Sequence, residues 1–222
     1  MHEGNGILIG LVKDLDDPDR LGRVRVVFPT LDDQESYWVR MAAPMAGPER
    51  GFFMRPEVDD EVLVVLRDCS PLDAYILGGV WSKPDKPPPD DGKPVENNWR
   101  FMRSRSGHIF KFDDTNGAEK VEIIDKDEVT IGISRKIVLD PVNKKIQVIC
   151  DDGDVEVLVR RGNVKVETNA GNVSVDATGD IALKATGKIS LEGATVEIKA
   201  TATMNAEAGG VMTIEGATVN IN

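Results

Sequence analysis

Over the first 80 residues, apolar and polar positions alternate with a period of two, in short runs separated by turns. The runs are ILIGLVK (7–13), GRVRVVFP (22–29), SYWVRMAA (36–43), DEVLVVLR (60–67) and DAYILGGVW (73–81). In the second run Val24, Val26 and Phe28 alternate with Arg23, Arg25 and Val27, the pattern of a half-buried strand. Between the runs lie Asp16-Asp17-Pro18-Asp19, Asp32-Asp33, Gly47-Pro48, Asp59-Asp60 and Ser70-Pro71, all turn formers. No stretch of useful length has helical periodicity. Five short strands with Gly- and Pro-rich turns predict a small barrel or sandwich.

A five-stranded OB-type barrel over residues 1–81 is the most economical form. Residues 82–98, SKPDKPPPDDGKPVENN, hold five prolines and read as a semi-rigid linker. From Trp99 the alternation resumes in longer strands: GHIFKFDD (107–114), EKVEIID (119–125), VTIGI (129–133), RKIVLD (135–140) and KKIQVIC (144–150). Asn116-Gly117 marks a hairpin turn among them. Residues 99–152 form a collar. From Gly153 to the C-terminus an internal repeat takes over. GDVEVLVRR starts at Gly153, GNVKVETNA at Gly162, GNVSVDAT at Gly171, GDIALKAT at Gly179 and GKISLEGAT at Gly187. A longer echo matches ISLEGATVEIK (189–199) to MTIEGATVNIN (212–222).

Each eight- or nine-residue unit makes one short strand and a corner. The inward residues are Val164, Val166, Val173, Val175, Ile181, Leu183, Ile189, Leu191, Val196 and Ile198, thinning to Ala200, Ala202, Ala206 and Ala208. A strand this narrow cannot cover its own apolar side, and alone it leaves its backbone groups unpaired. Three identical chains wound round one axis solve both problems. Each chain then supplies one face per level and pairs with its neighbours above and below. Glycine at the corners supplies the positive φ of a sharp bend. At about 4.8 Å per strand, the units from Gly153 onward would make a stiff rod roughly 40 Å long. The expected fold class is all-β: an N-terminal OB-fold barrel, then an intertwined trimeric (triple-stranded) β-helix needle over 99–222.

Composition sharpens this division. All three Trp, both Tyr and all six Phe lie at or before Phe112, and a slim triangular prism has no room for rings. Eleven of the 12 prolines lie at or before Pro94. The formal charge is −11, which argues against a nucleic-acid partner or docking on an anionic membrane surface. No apolar run reaches the length of a spanning helix. The start, Met1-His2-Glu3-Gly4-Asn5-Gly6, lacks the basic region of a signal peptide, so assembly in the cytoplasm is expected.

Candidate chemistry is sparse. Cys69 and Cys150 read as reduced thiols in strands, and His108 as a strand residue without a second ligand near it. Asp113-Asp114 and Asp151-Asp152 are adjacent pairs whose side chains diverge in a strand, so they do not converge for acid–base work. Asp14, Asp16, Asp17 and Asp19 resemble part of a calcium loop but lack its glycine and closing glutamate, and read as a turn. Arg23, Arg25 and Arg40 with Trp38 suggest a nucleic-acid face, which Asp32, Asp33 and the overall acidity oppose. Arg100, Arg103 and Arg105 read as bracing the collar. No catalytic residue, cofactor or metal site is expected.

LGRVRVVFP (21–29), SYWVRMAAPMAG (36–47), RPEVDDEVLVVL (55–66), AYILGGVW (74–81) and SRSGHIFKFDDTNGAEKVEIID (104–125) resemble the spike proteins of contractile injection machines. These are the baseplate assembly protein V family of contractile-tailed phages and tailocins, and the C-terminal half of type VI secretion VgrG proteins. The resemblance implies a structural, membrane-piercing needle beneath the tail tube, ending up in the tail or baseplate of a particle and touching the target-cell membrane only during piercing. It implies a homotrimer with a separate hub or tube-adapter protein at the barrel end, because the strands begin at Ile7 with no hub domain before them. No lysozyme insert fits in the linker. Asp59 stands where the family usually has glycine, which suggests a differently shaped turn. Spikes that close to their own point hold iron through histidines near the C-terminus, and no histidine follows His108 here. The resemblance therefore implies a PAAR-type cap docked on a blunt face around Val219, Asn220, Ile221 and Asn222. The rival is a β-helical tail fibre that binds or hydrolyses glycan; the lack of aromatics after Phe112 disfavours it.

Overall fold

The structure is a computed structural model and describes residues 6–67 and 70–220. The chain divides into two units, Met1–Val157 and Leu158–Asn222. The first unit opens with β1 (Ile7–Asp14), β2 (Arg25–Phe28), β3 (Gln34–Glu35), β4 (Arg40–Met41), the short hairpin β5 (Ala46–Gly47) and β6 (Arg50–Gly51), β7 (Glu61–Arg67) and β8 (Ser70–Gly79). One sheet runs β3-β2-β1-β7-β8-β4, antiparallel except where β4 joins β8. Val24 and Val39, each just before a strand, bridge back to one another through paired N–H···O bonds of 3.1 and 2.8 Å. That bridge closes β2, β1, β7, β8 and β4 into a barrel. The strand expected over 36–43 is thus cut down to one bridge at Val39 and a two-residue strand.

The barrel core is built from the alternation itself. Val12, Val24, Val26, Phe28, Val62, Val64 and Ile76 are fully buried. Gly10 faces the same interior, where a Cβ would stand 3.4 Å from the Phe28 ring and 3.3 Å from Val26 Cβ. A side chain at residue 10 would displace the largest group in the core.

The turn before β7 contradicts the expectation of an altered shape at Asp59. Asp59 adopts the left-handed conformation, φ 73°, so the aspartate takes up the glycine-type geometry. The Asp59 N–H donates to Val12 O at 2.8 Å, and the Asp60 carboxylate accepts from the Glu57 N–H at 2.8 Å. The turn is held from both sides.

A second sheet follows within the same unit: β9 (Trp99–Arg103), β10 (Ile109–Asp113), β11 (Lys120–Ile124), β12 (Arg135–Asp140) and β13 (Lys145–Cys150), in the order β13-β12-β11-β10-β9. Every neighbour is antiparallel. The β10–β11 hairpin turns at Asn116-Gly117, with Ala118 N–H donating to Thr115 O at 2.8 Å. Two expectations fail here. Strand β9 is additional, and VTIGI is not a strand. Residues Lys126–Ile131 form α1, with Asp125 as N-cap accepting from the Asp127 N–H and Gly132 closing the C-terminus in the left-handed region. The caps outweigh the strand preference of Val129, Thr130 and Ile131.

Between Leu158 and Val219 the second unit has no strand and no hydrogen-bonded ladder among the described residues. Its chain is extended, and polar side chains two apart meet along one edge. Lys165 pairs with Glu167, Ser174 with Asp176 at 2.9 Å, and Lys199 with Glu197 at 2.8 Å. Gly162 and Gly171 take positive φ as corners; Gly179 and Gly187 do not, so a left-handed bend is not needed at every repeat.

Asp59→Gly removes the left-handed penalty of an L-residue and is expected to stabilise the barrel by up to about 1 kcal/mol. Urea unfolding followed by tryptophan fluorescence checks this. A loss of stability would show that the aspartate side chain holds the turn.

Candidate assembly surfaces

The collar sheet has two unlike faces, set by the strand register. One face carries Trp99, Phe101, Ile109, Lys111, Asp113, Glu122, Ile124 and Val138. The other carries Met102, Phe110, Phe112, Val121, Ile123, Ile137, Leu139, Ile146 and Val148. The charged face is the buried one. Lys111, Asp113 and Glu122 are each less than a tenth exposed. Lys111 Nζ lies 2.6 Å from Glu122 Oε2, 3.7 Å from Asp113 Oδ2 and 4.2 Å from the centroid of the Trp99 ring. Burial pushes the Asp113 carboxyl up, but hydrogen bonds from the Thr115 hydroxyl and N–H, with Lys111 beside it, leave it lowered overall. Helix α1 flanks this face, with Glu128 2.6 Å from Lys136 Nζ, and Pro89 and Asp90 of the linker lie against Trp99 and Phe101.

The nine apolar residues of the opposite face stay open or half-open. Ile146 is 78% exposed and Val148 64%. A sheet that covers its ion pairs and bares its apolar side reverses the usual arrangement of a one-sided sheet. Nothing in strand alternation says which face goes inward, so this was not legible beforehand.

The repeat residues expected to form a needle core are all on the chain's surface. Val164, Val166, Val173, Val175, Ile181, Leu183, Ile189, Leu191, Val196 and Ile198 range from 52% to 75% exposed. Val219 and Asn220 of the expected tip are exposed as well, while Ile221 and Asn222 lie outside the described residues.

The barrel can be placed among known proteins. Residues 8–81 match the family model of the type VI secretion system/phage-baseplate injector OB domain. Over that span the chain is similar to an injector OB domain. The matched span runs from β1 through the end of β8, which is the whole closed barrel. Three of the barrel's arginines are held by neighbouring side chains. Arg23 binds Asp17 and Asp19. Arg25 pairs with Glu35 and lies over Trp38; Arg40 donates to the Tyr75 hydroxyl and stacks on its ring.

The acidic loop after β1 is likewise closed from within. Asp17 is 6% exposed and accepts from the N–H groups of Asp19, Leu21 and Arg23 at 3.1, 2.8 and 3.2 Å. Arg23 adds Nε and Nη2, the latter at 2.6 Å, so the cation of this loop is a guanidinium. Asp113 and Asp114 diverge as expected: Asp114 turns out to pair with Arg100. Asp151 accepts from the Ser134 N–H at 3.0 Å, and His108 Nδ1 accepts from the Lys126 N–H at 3.3 Å, at the start of α1. Of the collar arginines, Arg105 reaches the barrel, 2.9 Å from Glu57. Cys150 is half-buried at the end of β13; Cys69 lies outside the described residues. No helix among the described residues is long and apolar enough to cross a membrane.

The Arg23 hydrogen bonds hold the Asp17 carboxyl far below the usual carboxylate range, with burial opposing them, and Asp125 and Asp140 are lowered too. A folded-state value below the unfolded one means stability present above the unfolded carboxylate value and lost as pH falls. The urea midpoint is expected to drop between about pH 5 and pH 2, and Asp17→Asn is expected to lower stability at pH 7 and flatten that slope. A midpoint independent of pH over this range would contradict the assignment.

Proposed function

We propose that the chain is the central spike of a contractile injection machine, acting as a homotrimer whose collar and repeats form a triple-stranded β-helix that pierces a cell envelope. The observation that carries this is the apolar face left open in each unit. In the collar it is the face of Phe112, Ile123, Ile137, Leu139, Ile146 and Val148. In the repeats it is every second side chain. Two further copies of the same chain cover both, because the repeat is the same in all three and its strands lack partners within their own chain. Removing a half-exposed Val, Leu or Ile from water contributes on the order of 1 kcal/mol, and each repeat brings two such residues per chain.

The likeness of residues 8–81 to an injector OB domain supports a place in a baseplate. No catalytic step is assigned. The charged residues of the repeats pair along the outer edge, Lys165 with Glu167 and Lys199 with Glu197, which leaves the inner side apolar. Inward positions narrow to Ala200, Ala202, Ala206 and Ala208 near the end, which gives a tapering rod. The exposed Val219 and Asn220 mark the face on which a separate PAAR-type cap would sit; a hub or tube adapter would bind at the barrel end.

Val175→Asp or Leu183→Asp places three carboxylates at one level of a dry axis and is expected to abolish the trimer at neutral pH, at a cost of several kcal/mol. Ser174→Asp, on the outer side, is expected to leave it intact. Light scattering on the three variants reads the result. A trimer that tolerates the first two would show those side chains facing outward.

A further inference from the structure

The injector OB domain has seven arginines, and they divide into two groups. Arg23, Arg25 and Arg67 pair with carboxylates, and Arg55 donates to the carbonyls of Leu15 and Arg23. Arg20, Arg40 and Arg50 pair with no carboxylate among the described residues. All three line one groove.

The groove lies between the turn at Arg20–Gly22 and the β5–β6 hairpin, and encloses about 860 Å³. Its floor and walls are apolar and open: Leu21 is 71% exposed, Phe53 77%, and Met45 about half. The hairpin is a rigid arm. Gly51 has φ 149° in the mirror region, and a Cβ there would sit 2.6 Å from Met45 O, so the backbone turns back tightly on itself. Phe53 is set by contact, its ring edge standing 3.0 Å from where a Cβ of Gly22 would be. Glu49, at the hairpin turn, is the acidic residue on the rim.

Exposed aromatic and aliphatic side chains ringed by arginines that have no carboxylate partner among the described residues make a surface complementary to carboxylates beside an apolar anchor. We propose that this groove seats an acidic, apolar-anchored segment of another protein of the baseplate, a proposal that rests on the injector-spike function above. The anchor enters between Leu21 and Phe53, and its flanking carboxylates meet Arg20, Arg40 and Arg50. Nucleic acid would use the cations but leave the aliphatic floor wet. A second copy of this chain would use the floor, at an interface whose loss would change the mass in solution.

The test uses assembled particles in which Phe53 is replaced by a photoactivatable benzoylphenylalanine, with cross-linked peptides read by mass spectrometry. The expected product is one peptide from a different particle protein, with Asp or Glu flanking an apolar residue. A cross-link to a second copy of this chain, to nucleic acid, or to nothing would overturn the proposal. In parallel, the Arg20→Glu/Arg50→Glu variant is expected to enter particles at least about tenfold less, with its mass in solution unchanged. Substituting Lys for the cross-linked acid of the partner is expected to restore entry. Undiminished entry, or a changed solution mass, would overturn the groove's assignment alone. Absence of the unaltered chain from particles would overturn the injector-spike function as well, so the two failures are distinguishable.

Discussion

An extended backbone must pair its N–H and C=O groups, and an alternating strand must cover one side. From Leu158 onward the chain does neither for itself. No helix replaces the missing ladder, and successive repeats do not pair with one another among the described residues. Both debts can be met by identical chains, because every level of a prism then contains the same three strands. The rest of the molecule makes sense as support for that arrangement. Aromatics are confined to residues at or before Phe112, and the repeats use Val, Ile, Leu and Ala.

The collar shows how a chain can prepare an apolar face without collapsing onto it. Its sheet covers Lys111, Asp113 and Glu122 with its own linker and helix and keeps Ile123, Ile137, Leu139 and Ile146 outward. A buried ion pair is weak evidence for stability, since desolvation offsets much of the attraction. Its value here is directional. With Lys111 Nζ 2.6 Å from Glu122 Oε2, the covered face carries its own countercharge. The barrel uses the same device on a smaller scale: five donors from Asp19, Leu21 and Arg23 fix the Asp17 loop and so hold the edge from which β2 starts.

Strand positions were legible in the sequence wherever alternation was clean, as in GRVRVVFP, DEVLVVLR and RKIVLD. They were illegible where local rules competed. Val129-Thr130-Ile131 carries strand-forming residues, yet Asp125 and Glu128 at capping spacing and Gly132 seven residues after Asp125 close a helical turn around them; that spacing was the signal to use. Strand β9 was hidden because Met102 and Arg103 reverse the alternation that Trp99, Arg100 and Phe101 begin. The turn at Asp59 could not be read from residue type alone, because aspartate tolerates the left-handed region better than most L-residues. The repeat residues named as an inward core are exposed in the single chain, and strand alternation alone does not say what would cover them.

Amide hydrogen exchange over residues 158–219 of the intact protein tests the central claim most directly. If three chains pair strand to strand, these amides are protected for hours although no strand partner for them exists among the described residues of one chain. Exchange complete within the first seconds, at the rate of an unpaired extended chain, would contradict the account.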